Sequence, residues 1–280
     1  MSFRYAVFIL THGRPDYQLT LQTIQNRGYT GDYYLVVDDQ DSTLPEYLAN
    51  YGDSVIVFDK DAYVSVTDTG LYTPQKNFAV FSRNAIEDIA RDLGYDCFIM
   101  MDDDLTNFRF RYPEDNSFKS LKITQNLDKI FEAYIEYLME CDLACLCFGI
   151  HNNYMKGTDI LYEENPRLRL CFTVYFRNCK FPVSWKLNMC EDRITSLECS
   201  RSGQVWLQLL NVQVDTVEIG GKIKGGNSEV YNSVDKFKQT FFPVMMFPDC
   251  NYCSYWKDHW ITSLHLSNVC PKIVGGIYKK

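Results

Sequence analysis

Short apolar runs that end in acidic or polar residues recur through the first hundred positions of the chain. Tyr5–Leu10 runs into Thr11-His12-Gly13-Arg14, Tyr33–Val37 into Asp38-Asp39, Ser54–Phe58 into Asp59, and Cys97–Met101 into Asp102-Asp103-Asp104. Runs of this length with little alternation predict strands buried on both faces. Between them the period lengthens. Pro15 opens a segment that reaches Arg27-Gly28, with Pro and Gly where a helix starts and stops. From Gln75 to Leu93 the positions Phe78, Phe81, Ala85, Ile89 and Leu93 recur every three or four residues before Gly94, a second helix. Strands separated by helices predict a parallel sheet, and such sheets bind ligands beyond their strand C-termini. Thr11, Arg14, Asp38, Asp39, Asp102 and Asp104 then share one edge.

Downstream, Phe108–Tyr112 alternates aromatic and cationic residues at strand spacing. A helix is predicted from about Thr124 to Glu140, whose apolar stripe is core packing, and further strands at Leu143–Ile150, Leu170–Arg177 and Gln204–Val214. The polar stretch 151–169 is expected to loop over the far side of the site, and the glycine-rich stretch Gly220–Glu229, with Lys222 and Lys224, to form a loop or hairpin turn. The expectation is a single α/β domain of 280 residues, with residues 1–110 as one functional half and 111–280 as the other.

The chemistry concentrates at Asp102-Asp103-Asp104. Alternation along an extended strand sends Asp102 and Asp104 to one side and Asp103 to the other, so two carboxylates converge on a cation such as Mg2+ or Mn2+. An acidic turn is the plain alternative. The composition, 46% hydrophobic and 15% aromatic, supports a large core, and no apolar run is long enough to span a bilayer; a cytoplasmic chain is expected. Eleven cysteines without a regular framework read as reduced core residues. A net charge of −8 gives no global attraction to nucleic acid, so such a partner needs a local basic patch.

Three stretches now combine: Val36-Val37-Asp38-Asp39, Ser82-Arg83-Asn84-Ala85 and Met101-Asp102-Asp103-Asp104. In this order they resemble the nucleotide-sugar-binding half of GT-A glycosyltransferases, with the acidic strand end, the Arg-Asn helix and the DxD motif. The resemblance implies a GT-A fold, a mixed and mainly parallel Rossmann-like sheet flanked by helices, and transfer of a sugar from a UDP-sugar. It implies that Thr11, Arg14 and Asp39, with Asp38 beside them, hold the nucleobase and ribose. Arg83 and Asp102 would approach the sugar or diphosphate, and Asp102 and Asp104 would hold Mn2+ or Mg2+. The family's glycine after the paired acids is Gln40 here.

Met189–Thr195 resembles the motif that supplies the general base in inverting members, which implies Asp192, then Glu191, as the base that takes the acceptor's proton. Helix N-terminal capping is the alternative use of these acids. A histidine near the C-terminus often completes the metal shell in such enzymes, which nominates His259 or His265. The pair Cys250/Cys253 followed by His259, His265 and Cys270 leaves a small zinc site as another reading. The compact unit, the Gly-Gly loop and the Tyr/Trp/His-rich tail also resemble the phage and TET-associated group that glycosylates hydroxylated pyrimidines in DNA. Arg109, Arg111, Arg167, Arg169, Lys222 and Lys224 would then supply the DNA groove. A protein or surface-glycan acceptor, a nucleotidyltransferase, and a noncatalytic sugar-nucleotide-binding protein are the competing readings.

Overall fold

The computed structural model describes residues 3–70, 79–155, 157–161, 170–187, 190–217, 236–256, 259–265 and 268. Its organising strand is β4 (Cys97–Asp102), in which five successive side chains are fully buried. Cys97, Ile99 and Met101 enter one core with α1 (Leu19–Asn26) and α5 (Leu127–Glu140); Phe98 and Met100 enter another with α4 (Ala79–Asp92). A strand apolar on both faces belongs in the middle of a covered sheet.

The first four strands, β1 (Tyr5–Leu10), β2 (Tyr33–Asp38), β3 (Val55–Phe58) and β4, pair in parallel in the order β3-β2-β1-β4. The helices α2 (Leu44–Tyr51) and α3 (Lys60–Val66) flank β3 in sequence. The sheet continues through β8 (Val174–Asn178), β7 (Cys145–Gly149), β9 (Trp206–Thr216), β5 (Leu105–Glu114) and β6 (Ser117–Lys122), nine strands in all. Within it β8 and β5 run opposite to the others, so the sheet is mixed and mainly parallel, as expected. A separate antiparallel pair, β10 (Asn251–Trp256) with β11 (His259–Leu264), packs against α7 (Lys236–Met246), and the sequence reading placed none of these three elements. Among the described residues no helix is long and apolar enough to cross a membrane.

Several boundaries differ from the pattern-based expectation; the strand expected over Leu170–Arg177, for one, begins only at Val174, after the turn at Thr173. The first helix starts at Leu19, not at Pro15, because Gln18 folds the preceding loop back on itself, donating to the Arg14 carbonyl at 2.7 Å and to the Thr11 hydroxyl at 3.0 Å. The Asp-rich strand ends at Asp102, and Asp103 and Asp104 form the turn into β5, so strict alternation stops there.

Four residues before Asp102, where Phe98 of β4 pairs with Arg177 of β8, that arginine and Glu87 of α4 form an ion pair at 2.9 Å with both side chains nearly inaccessible. The guanidinium also donates to the carbonyls of Ala144 and Phe181, and Glu87 accepts from the Trp185 indole at 3.2 Å. Removing one partner leaves a buried, uncompensated charge, so Glu87→Ala should destabilise the fold by about 3–5 kcal/mol, read by chemical denaturation.

Candidate active site

Thr11 follows β1, Asp38 ends β2 and Asp102 ends β4, and all three open onto one cavity of about 1060 Å3. Its other walls come from Ile150–Asn152 after β7, Phe172-Thr173 before β8, Cys190–Arg193 at the start of α6 (Glu191–Arg201), and Val214–Val217 at the end of β9. That volume sits at the upper end of small-molecule sites.

The three adjacent aspartates are treated differently by their neighbours. Asp102 accepts from Arg83 at 2.8 Å. Asp103 accepts from Arg14 at 2.7 Å and from the Thr11 hydroxyl at 2.9 Å. Asp104 has no ion pair among the described residues, and burial together with the charges of Asp102 and Asp103 pushes its pKa up to about 7. A pair of carboxylates with one uncompensated member suits a hard divalent cation, whose charge removes that penalty.

Arg83 is the cation between the acidic groups. It is buried on α4, with its guanidinium carbon 5.1 Å from the ring centroids of both Tyr175 and Trp185. Besides Asp102 it approaches Glu191 at 3.5 Å. Burial works against its charge, but Asp102, Tyr175 and Glu191 outweigh it and hold Arg83 firmly protonated. Its neighbour Asn84 faces the scaffold, exchanging hydrogen bonds with the backbone of Trp185 at 2.8 and 3.0 Å.

Glu191 and Asp192 are set by Cys190, a left-handed residue (φ +57°) that turns the chain into α6. Burial raises the pKa of both carboxyls, and the charge of Asp192 adds to the effect at Glu191. Asp192 accepts from the Arg193 N–H at 2.6 Å, and Arg193 is tied to the Thr262 carbonyl of β11 at 3.2 Å.

At the other end of the cavity Asp38 accepts from Lys60 at 2.9 Å and from His12 at 2.8 Å. Burial disfavours the charged carboxylate, yet these two hydrogen bonds hold its pKa low, and the His12 pKa is raised through Asp38. His12, Asp38 and Asp41 bring three ligand-type atoms close together. Lys60 already supplies the positive charge there, so the cluster is a self-neutralised ion-pair network.

The structure therefore brings Thr11, Arg14, Asp38 and Arg83 to one cavity. Asp102, Asp104, Glu191 and Asp192 line it as well. Thr11 is spent on the scaffold, sharing its hydroxyl with Tyr47 at 2.8 Å as well as with Asp103. Asp39 is exposed beside the cavity and accepts the Lys60 N–H at 3.0 Å. His265 does not line the cavity; its ring lies 4.7 Å from that of Tyr252 in the terminal hairpin. His259 opens β11, and its side chain lies outside what is described. Cys250 and Cys253 bond separately to the carbonyls of Phe247 and Thr240. Arg109 pairs with Asp215 at 2.6 Å and Arg111 lies over the Tyr154 ring at 4.7 Å. Arg167, Arg169, Lys222, Lys224 and the Gly220–Glu229 loop lie outside the described residues. Sequence reasoning missed Lys60, Tyr47 and Asp103 as site members; the signal for Lys60 was its adjacency to Asp59 at the end of β3, that for Asp103 its place inside the acidic triplet, and Tyr47 carried none.

A sequence profile described as TET-Associated Glycosyltransferase matches residues 5–226. The chain belongs to that family. A search of curated proteins returns no match. Among solved structures, this glycosyltransferase is similar to glucosyl-3-phosphoglycerate synthase from Mycobacterium tuberculosis, in complex with Mg2+ and UDP. The TM-score is 0.50 at 8% identity, over 94% of this chain and 87% of that one. It is also similar to the mannosyltransferase PcManGT from Pyrobaculum calidifontis, in complex with GDP-Man and Mn2+, with a TM-score of 0.48 at 11% identity over 79% of this chain and 59% of that one. The likeness is one of fold, and the fold is that of GT-A glycosyltransferases.

The raised pKa of Asp104 fixes the sign of a stability effect. Its protonated form supports the fold in full below the unfolded pKa, near 4, and that support is lost as pH rises through about 7. Asp104→Asn should therefore raise the melting temperature of the metal-free glycosyltransferase at pH 7.5 and flatten its decline between about pH 4 and 7, measured by differential scanning calorimetry.

Proposed function

We propose that this glycosyltransferase moves a sugar from a UDP-sugar onto a hydroxylated pyrimidine base in DNA, with Mn2+ or Mg2+ held by Asp102 and Asp104. The observation that carries the reading is the uncompensated carboxylate of Asp104 beside Asp102, in a cavity roomy enough for a donor and an acceptor group. Hard oxygen donors suit these ions, and the Mycobacterium tuberculosis structure of like fold contains Mg2+ and UDP. The ion, when bound, offsets diphosphate charge and stabilises the UDP leaving group.

The chain's own residues supply the rest. Arg83, held protonated, presents a fixed positive charge beside Asp102 toward the sugar diphosphate. Asp192 takes the proton of the acceptor hydroxyl as that oxygen bonds to the anomeric carbon and the bond to UDP breaks, a direct displacement that inverts the centre. A base whose pKa is raised by burial is better matched to proton transfer near neutral pH. The His12–Asp38–Lys60 network borders the end assigned to the nucleoside, with Asp39 and Arg14 nearby.

The DNA acceptor is supported by the family, whose model is described as TET-associated. A base inside a duplex must leave the stack to reach this cavity. With Arg109 already paired to Asp215, phosphate contacts fall to the remaining cations of the patch, so binding to DNA should be weak and salt-sensitive.

The test is a transfer assay with Mn2+, a panel of UDP-sugars and DNA containing 5-hydroxymethylcytosine, read by nucleoside mass spectrometry. A hexose or pentose mass added to the base is expected. UDP release without a modified base removes DNA as acceptor and leaves a protein or glycan acceptor; no UDP release from any donor removes the reading. Asp192→Asn should lower kcat by about 100-fold or more with the melting temperature kept, and undiminished turnover would remove Asp192 as the base.

A further inference from the structure

Thr173 is a β-branched residue held at φ +66°. Its backbone closes a three-residue turn, in which the Val174 N–H donates to the Phe172 carbonyl at 2.6 Å. A γ-turn with a positive central φ is the rarer, strained form, and a branched Cβ adds to the strain. Glycine adopts such a backbone without penalty, so threonine here points to a use for its side chain. Thr173 lines the cavity, and its hydroxyl has no hydrogen-bond partner among the described residues.

Its place along the sheet edge says what it faces. The strands run β2, β1, β4, β8, β7 across that edge. His12, Asp38 and Lys60 occupy the β2–β1 end, and the carboxylates stand on β4. Thr173 is the next step along, anchored to β4 by its carbonyl, which accepts the Asp102 N–H at 3.4 Å. With the nucleoside diphosphate lying from β2 to β4, the group reaching Thr173 is the acceptor. Phe172, beside it in the wall, is half-buried against Leu170, Leu197 and Cys250, which braces a ring at the cavity surface. Flat bases stack on such rings.

We propose that Thr173 is an acceptor-binding residue, its hydroxyl hydrogen-bonding the polar edge of a pyrimidine base whose face rests on Phe172; this builds on the function proposed above. A hydroxyl both donates and accepts, so it matches either kind of group on that edge. The strained turn serves to aim it one strand away from the metal carboxylates.

The experiment is steady-state kinetics on Thr173→Val, Thr173→Ser and Thr173→Gly, with the UDP-sugar and hydroxymethylated oligonucleotide of the transfer assay. Thr173→Val should raise the acceptor KM about tenfold while leaving the donor KM in place, and Thr173→Ser should stay within about threefold of the native enzyme. Thr173→Gly, which relaxes the backbone, should recover none of the acceptor affinity. An unmoved acceptor KM in Thr173→Val or Thr173→Gly overturns the proposal, as does an equal rise in donor KM. Native enzyme that modifies no hydroxylated base overturns the acceptor reading and this proposal together, which a native signal with an unmoved variant does not.

Discussion

The buried Arg83 guanidinium is the contact on which the candidate site depends. It reaches Asp102 on β4 and Glu191 on α6 from a bed of two aromatic rings, so one side chain of α4 joins two acidic elements far apart in sequence. Without it the carboxylates of Asp102, Glu191 and Asp192 would line one cavity with no buried cation between them, a costly arrangement. With it the pair on α6 and the strand end on β4 hold their relative positions, and Asp104 is left over as the carboxylate of the triplet with no ion pair among the described residues. The ion pair of Arg177 with Glu87 repeats the device four residues along α4, where it ties the helix to β8 and involves no cavity residue.

Most of the fold was legible because each strand of the parallel half is a bare apolar run, and such runs carry their own ends. β1 and β4 begin where the pattern placed them, and the acids that follow β2 and β4 stand at one edge because parallel strands align their C-termini. The first helix was misplaced at its start because the local Pro signal competes with a long-range bond network around Gln18 that no spacing reveals. The terminal helix and hairpin escaped for a related reason. Their apolar residues carry no clean period, and Pro243 lies inside α7.

The site was legible in its types and less so in its assignments. Asp102, Asp104, Arg83, Glu191 and Asp192 meet as a motif reading suggests, since a motif encodes which elements carry polar ends. What neighbours do to each group is a tertiary matter. Thr11 and Asp38 are consumed by Tyr47, Lys60 and His12, and Asp103, given no role by alternation, anchors Arg14. His265 belongs to the hairpin because the chain pairs its N–H with the Cys250 carbonyl at 2.8 Å.

The backbone of Asp102 is gripped from both sides. Its N–H goes to the Thr173 carbonyl, and its carbonyl takes the Thr20 hydroxyl at 2.6 Å. Thr20 then accepts the Leu105 N–H at 2.9 Å, which fixes the far end of the turn carrying Asp104. Both ends of the acidic turn are thus tied to neighbouring elements. The carboxylates of Asp102 and Asp104 therefore stand on a backbone that is held before any ligand arrives, which lowers the ordering entropy lost when one binds.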